Sequence, residues 1–292
     1  MLLATENAPP GKRDWFGMFP QLGAPIGFML SSITFLLLTT LLTDEQFFEF
    51  GWRIPFVASA LLVLVGLYVR LRITETPAFT QAMEQEKRVH FPAASVFRHH
   101  WKALILGTVI GLSAFVTFYL MTVFALTYGT SKTGLGYSRE TFLFAQLFGV
   151  LFFAITIPIS SLLADKYGRR PTLVAVTLAI FLFGFTLAPL FGSGSLSGVV
   201  LFLALGLGLM GLTYGPLGTL LSELFPTAVR YTGSSLAFNF SGIFGAALAP
   251  YIATWLASHY GLAYVGYYLS VVALLTLGGL LLMQETRDKA LE

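Results

Sequence analysis

The residues best suited to chemistry are few, and most stand at the ends of apolar stretches. Asp165-Lys166-Tyr167-Gly168-Arg169-Arg170 places an acid, a turn glycine and two guanidinium groups within one short segment. Gly168 permits a tight turn, and Arg169 and Arg170 have the geometry for bidentate carboxylate contacts across it. Glu223, Pro226 and Arg230 make a second charged set, and Glu6, Pro9 and Arg13 repeat its spacing near the start of the chain. Asp165 and Glu223, with Arg169, Arg170 and Arg230, read as a gate whose pairings hold one of two states. Glu6 with Arg13 reads as the matching element.

A smaller group of polar side chains falls inside apolar stretches, where such groups are costly and face a bundle interior. These are Thr117, Tyr119, Gln146, Tyr214 and Asn239. Tyr and Asn both donate and accept hydrogen bonds, so Tyr119 and Asn239 lead as ligand contacts. Each of the five serves equally well, by type, as a helix–helix hydrogen bond. No stretch carries Asp, Glu, His or Cys in its interior, so paired catalytic groups are absent and an enzyme is not expected. Gly206-x-Gly208-x-x-Gly211 matches a dinucleotide fingerprint, but it sits within an apolar run with no strand before it. Close helix contact explains it better, as it does Gly107-x3-Gly111 and Gly211-x3-Gly215. His90, His99, His100 and His259 fall in loops or at interfaces and make no metal site. No cofactor is expected.

The elements that position these residues are membrane helices. Of 292 residues, 56% are hydrophobic and 11% charged, against about 25% charge in a soluble domain. Mean hydropathy is +0.78. That composition excludes a soluble enzyme, a disordered chain and a nucleic-acid-binding domain, since 17 Lys+Arg stand against 14 Asp+Glu. Eight apolar stretches are long enough to cross a bilayer: about 22–42, 54–70, 103–128, 142–164, 172–191, 197–221, 233–257 and 263–283. Only Arg53, Lys132 and Arg139 of the basic residues fall on one side of these spans, and the other 14 of 17 fall on the opposite side. The positive-inside rule then places both termini in the cytoplasm.

The Glu-Pro-Arg repeat pairs the first two spans with the last two, and Glu75-Thr76 against Glu285-Thr286 is a weaker echo. Transporters are built from such halves. The reading is residues 1–70 as the last two helices of one six-helix domain, 71–102 as a cytoplasmic linker, and 103–292 as a complete second domain. Four helices of the first domain would then precede Met1 and be needed for function. A natural eight-helix protein is the alternative.

The Asp165–Arg170 loop resembles the D-R/K-x-G-R-R/K loop of the major facilitator superfamily, with Ser161 where the pattern has Gly. Gly51-Trp-Arg-Ile-Pro-Phe56, Val116-Thr-Phe-Tyr119, Thr74-Glu-Thr-Pro77 and Glu223-Leu-Phe-Pro-Thr-Ala-Val-Arg230 resemble its metabolite:H+ symporter family. The resemblance covers essentially the whole chain, against helices five to twelve. It implies an all-α membrane protein, eight helices of an expected twelve, working by alternating access. It also implies a bacterial inner-membrane location, with a small organic acid or zwitterion and protons as partners. A facilitator or exporter of the same superfamily, or an inactive piece of a transporter, is the alternative.

Overall fold

A computed structural model describes residues 4–5, 7–9, 11–72 and 91–286. Glu6, the Thr74–Pro77 motif, His90 and most of the linker lie outside the described residues. Helices account for nearly all the rest. The chain opens with α1 (Arg13–Gln21) and α2 (Gly23–Leu41), a short α3 (Asp44–Glu49) and α4 (Ile54–Arg72). Within the 71–102 segment lies α5 (Pro92–His99), followed by α6 (Trp101–Tyr119), which runs through a π turn (Leu120–Phe124) into α7 (Ala125–Thr130). Then follow α8 (Arg139–Tyr167), α9 (Arg169–Gly184) with a π turn (Leu187–Phe191), and α10 (Leu196–Glu223). The last group is α11 (Arg230–Gly242), a π turn (Ile243–Ala247), α12 (Ala249–His259) and α13 (Leu262–Leu282).

Among the described residues, seven helical segments are long and apolar enough to cross a membrane, against the eight stretches expected. The difference is the fifth. Its helix α9 stops at Gly184, turns at Phe185–Thr186 and resumes as the π turn, so it is split rather than missing.

Small residues decide how close the helices come. α8 and α10 form the tightest pair. A Cβ on Gly211 would collide with Phe153 O, and one on Gly215 would stand 2.7 Å from Ile157 O and 3.0 Å from Ser161 Oγ. Ser161, which departs from the family pattern, is fully buried there; Gly215 opposite supplies the room that the missing glycine would have given. Gly107 and Gly111 bring α6 against Ala237 and Ser241 of α11 in the same way, and Ser241 Oγ donates to Thr108 O across the contact at 2.8 Å. Pro216 interrupts the backbone ladder of α10 by lacking the N–H that Leu212 O would accept, and the Ser160 hydroxyl donates to that carbonyl instead. α4 packs on almost nothing, and its apolar side chains, among them Val57 and Leu61, are exposed all round.

Candidate functional site: a charge network at one end and a cavity farther along

The Asp165–Arg170 loop joins five helices, α1, α8, α9, α10 and α13. α8 ends at Tyr167, and Gly168 turns the chain with φ 103 and ψ 156, a conformation essentially reserved for glycine. A Cβ at Gly168 would also lie 2.6 Å from Glu285 Oε2. That close approach has a purpose: the Glu285 carboxylate accepts the first N–H groups of α9, from Arg169 at 3.1 Å and Arg170 at 3.0 Å. An anion on a helix N-terminus satisfies orphan donors and meets the positive end of the helix dipole.

Asp165 does the same for α1. Its Oδ1 accepts Asp14 N–H at 3.0 Å and its Oδ2 accepts Trp15 N–H at 2.9 Å. The arginines across the turn, expected to meet Asp165, go elsewhere because these two amides take its oxygens. Arg169, 1% exposed, bridges two acids: its Nε stands 3.0 Å from Asp14 Oδ2, and its other end stands 3.2 Å from Glu223 Oε1. The Asp14 contact is an ion pair without hydrogen-bond alignment, since both carboxylate oxygens and Arg169 Nε lack an aligned partner. Arg13 reaches Glu223 as well, at 3.5 Å. Arg170 donates to Leu280 O and Leu281 O at the end of α13, at 3.0 and 2.9 Å. Arg230 donates to Phe225 O at 3.3 Å. Gly17 lets α1 press onto Thr219 of α10, and Gln21 donates to Tyr214 O at 3.0 Å.

The network thus ties α1 to α8, α9 and α10, with Asp14 at its centre. Sequence reasoning missed Asp14. The Glu-Pro-Arg repeat that singles out Arg13 sets Tyr231, not an acid, opposite Asp14. Glu285 was signalled only by its echo of Glu75.

The five intramembrane polar residues do not form one group. Tyr119 and Asn239 line a single cavity of about 370 Å³ between α6 and α11, with Phe115, Phe238 and the π turn Ile243–Ala247. At 1.5 Å per residue, Tyr119 lies roughly 27 Å along α6 from Trp101, at the end that carries the charges. The Asn239 amide donates to Ser235 O at 2.8 Å. Thr117 is fully buried and donates to Ser113 O. Gln146 is buried on α8 and donates to Met121 O and Thr122 O. The Tyr214 ring packs against Phe153.

This architecture is that of a membrane transporter. The model of the Major Facilitator Superfamily matches residues 13–246, and the chain belongs to that family, which is one of transporters and not of enzymes. It is 51% identical over 293 residues to the inner membrane metabolite transport protein YhjE of Escherichia coli, covering 99% of this chain and 67% of that protein. It is 42% identical to a putative metabolite transport protein of Haemophilus influenzae, covering 99% of this chain and 67% of that one. With the glycine betaine/proline/ectoine/pipecolic acid transporter OusA of Dickeya dadantii it shares 32%, over 100% of this chain and 60% of the relative. The chain therefore spans about two thirds of the length of these relatives or somewhat less. Among solved structures, the proton:xylose symporter XylE superposes with a TM-score of 0.69 at 18% identity, over 99% of this chain and 68% of that one. At that identity the likeness is one of fold.

Proposed function

We propose that the chain works as part of a secondary transporter that imports a small organic acid or zwitterion with protons by alternating access. The observation that carries this reading is the pairing of a charge-locked end with a largely apolar cavity, farther along the same bundle, into which Tyr119 and Asn239 bring polar groups. Asp165, Gly168, Arg169, Arg170, Glu223, Arg230 and Arg13 act as the gate, with Asp14 and Glu285 joining it; Glu6 would complete it. Tyr119 and Asn239 contact the solute. The one-sided distribution of Lys and Arg supports a cytoplasmic gate and cytoplasmic termini, and the similarity to an inner membrane protein of E. coli supports the inner membrane. Residues 1–70 and 103–292 belong to two domains joined by 71–102, and Arg13–Glu223 and Arg169–Asp14 are contacts between them. The names of the relatives favour metabolites and betaine- or proline-like zwitterions.

Uptake of labelled proline, betaine and dicarboxylates into proteoliposomes tests the reading. Accumulation that requires an inward proton gradient supports symport. Equilibration without a gradient would make the protein a facilitator, and uptake of nothing beyond leak would make the chain an inactive piece.

A further inference from the structure

The wall that carries Tyr119 has an irregular backbone at that residue. α6 changes to a π turn at Leu120, and the N–H of Ala125 bonds to Leu120 O. In an α-helix that N–H would go to Met121 O. The π turn therefore removes the α-helical donor of Met121 O at a buried position, where an unpaired carbonyl is costly. Gln146, 1% exposed on the neighbouring α8, supplies the donor: its Nε2 lies 3.0 Å from Met121 O and 2.7 Å from Thr122 O. One amide group has two N–H donors, and both are spent here.

The segments on either side of the turn are fixed by packing. Before it, Gly111 seats α6 on Ser241. At its last residue Phe124 packs against Phe191, and after it Tyr128 packs on the same Phe191 ring and Gly129 lies on the ring of Phe142. A π turn takes up one extra residue, and one residue corresponds to about 100° of helix rotation. The two anchored segments thus meet out of α-helical register, and Tyr119 is the last residue before the seam.

We propose that Gln146 is a positioning residue for the cavity: by satisfying the carbonyls of the π turn, it holds the seam in register and aims Tyr119 at the space shared with Asn239. The inference rests on the reading of that cavity as the solute site, although its geometric half stands without it. Gln146 touches no solute.

The chain has no cysteine, so single cysteines report directly on the seam. Reaction of a Tyr119→Cys variant with a small hydrophilic maleimide is compared in the native, Gln146→Met and Gln146→Asn backgrounds. Met matches Gln in length but donates nothing, and Asn is one methylene short of the carbonyls. With each lost hydrogen bond worth from a few-fold to about tenfold, labelling is expected to slow at least about tenfold in both backgrounds. Asn239→Cys, on the opposite wall, is expected to keep its rate within about twofold. In protein retaining Tyr119, Gln146→Met is expected to raise the KM for solute about tenfold at little-changed maximal rate. Unchanged labelling of the Tyr119→Cys variant overturns the proposal, as does an equal loss at both walls, which would make Gln146 a general support. Should Gln146→Met fail to fold, Gln146→Asn decides alone. The labelling result holds whether or not the cavity takes solute, so failure of the transport reading shows separately, as normal positioning with no uptake.

Discussion

Asp165→Asn is the sharpest perturbation of the gate. Both Asp165 oxygens accept backbone N–H groups of α1, at 3.0 and 2.9 Å, and the side chain is buried. Asn keeps the shape but offers one acceptor oxygen, now uncharged, and turns an NH2 group toward the other N–H. One charge-assisted bond is lost and the second becomes neutral. Hydrogen bonds to charged groups contribute about 1.5–3 kcal/mol, so the closed contact should weaken by about 2 kcal/mol, or roughly thirtyfold in the closed-to-open ratio. Arg169 and its acids are untouched. Lys12 and Lys166 flank the same contact around a cavity of about 300 Å³ and hold none of the gate bonds described. In the cysteine-free chain, Lys12→Cys with Lys166→Cys forms a cross-linking pair for a short bifunctional maleimide. Cross-linking should fall steeply in the Asp165→Asn background, and transport by the intact protein should slow because the cycle no longer returns to the closed state. Native cross-linking together with native turnover would refute the reasoning, since it would mean that the two amides are as well served by a neutral side chain.

Gly168→Ala should cost at least about 2 kcal/mol of stability in detergent, from backbone strain plus displacement of Glu285 from a position 2.6 Å away; a loss below half of that would show that the turn relaxes freely. Ser160→Ala should cost about 1 kcal/mol, because Leu212 O then loses the hydroxyl that stands in for the N–H missing at Pro216, and thermal unfolding checks it. Tyr119→Phe and Asn239→Ala should each raise the KM for solute while leaving the gate cross-link between the Lys12→Cys and Lys166→Cys positions at native yield. An unchanged KM in both would remove the cavity of about 370 Å³ from the solute path.

Hydropathy located the helices well because burial in lipid requires long apolar runs, and the split at Phe185–Thr186 leaves composition unchanged. The Asp165–Arg170 loop was legible because Gly168 and its charges lie within one turn. Their partners were not. Which acid meets Arg169 depends on where α1 docks, and Asp14 gives no local sign of being drawn into the interior. Gln146 shows the same limit from another side: a π turn alters backbone register without altering the apolar pattern, so nothing in the sequence marks Met121 O as needing a donor. Tyr119 and Asn239 were singled out by residue type and stand together, whereas Thr117 and Tyr214 were singled out on equal grounds and lie apart from them.

The caps at Asp165 and Glu285 have one property in common: each starts a helix with an acid from a distant part of the chain. The beginning of α1 is complete only while α8 is beside it. When the two part, two backbone N–H groups and a carboxylate lose their partners together, at several kcal/mol for each group left bare in hydrocarbon. Water is the only substitute at hand. If this end opens as proposed, water must therefore reach these groups as the helices part.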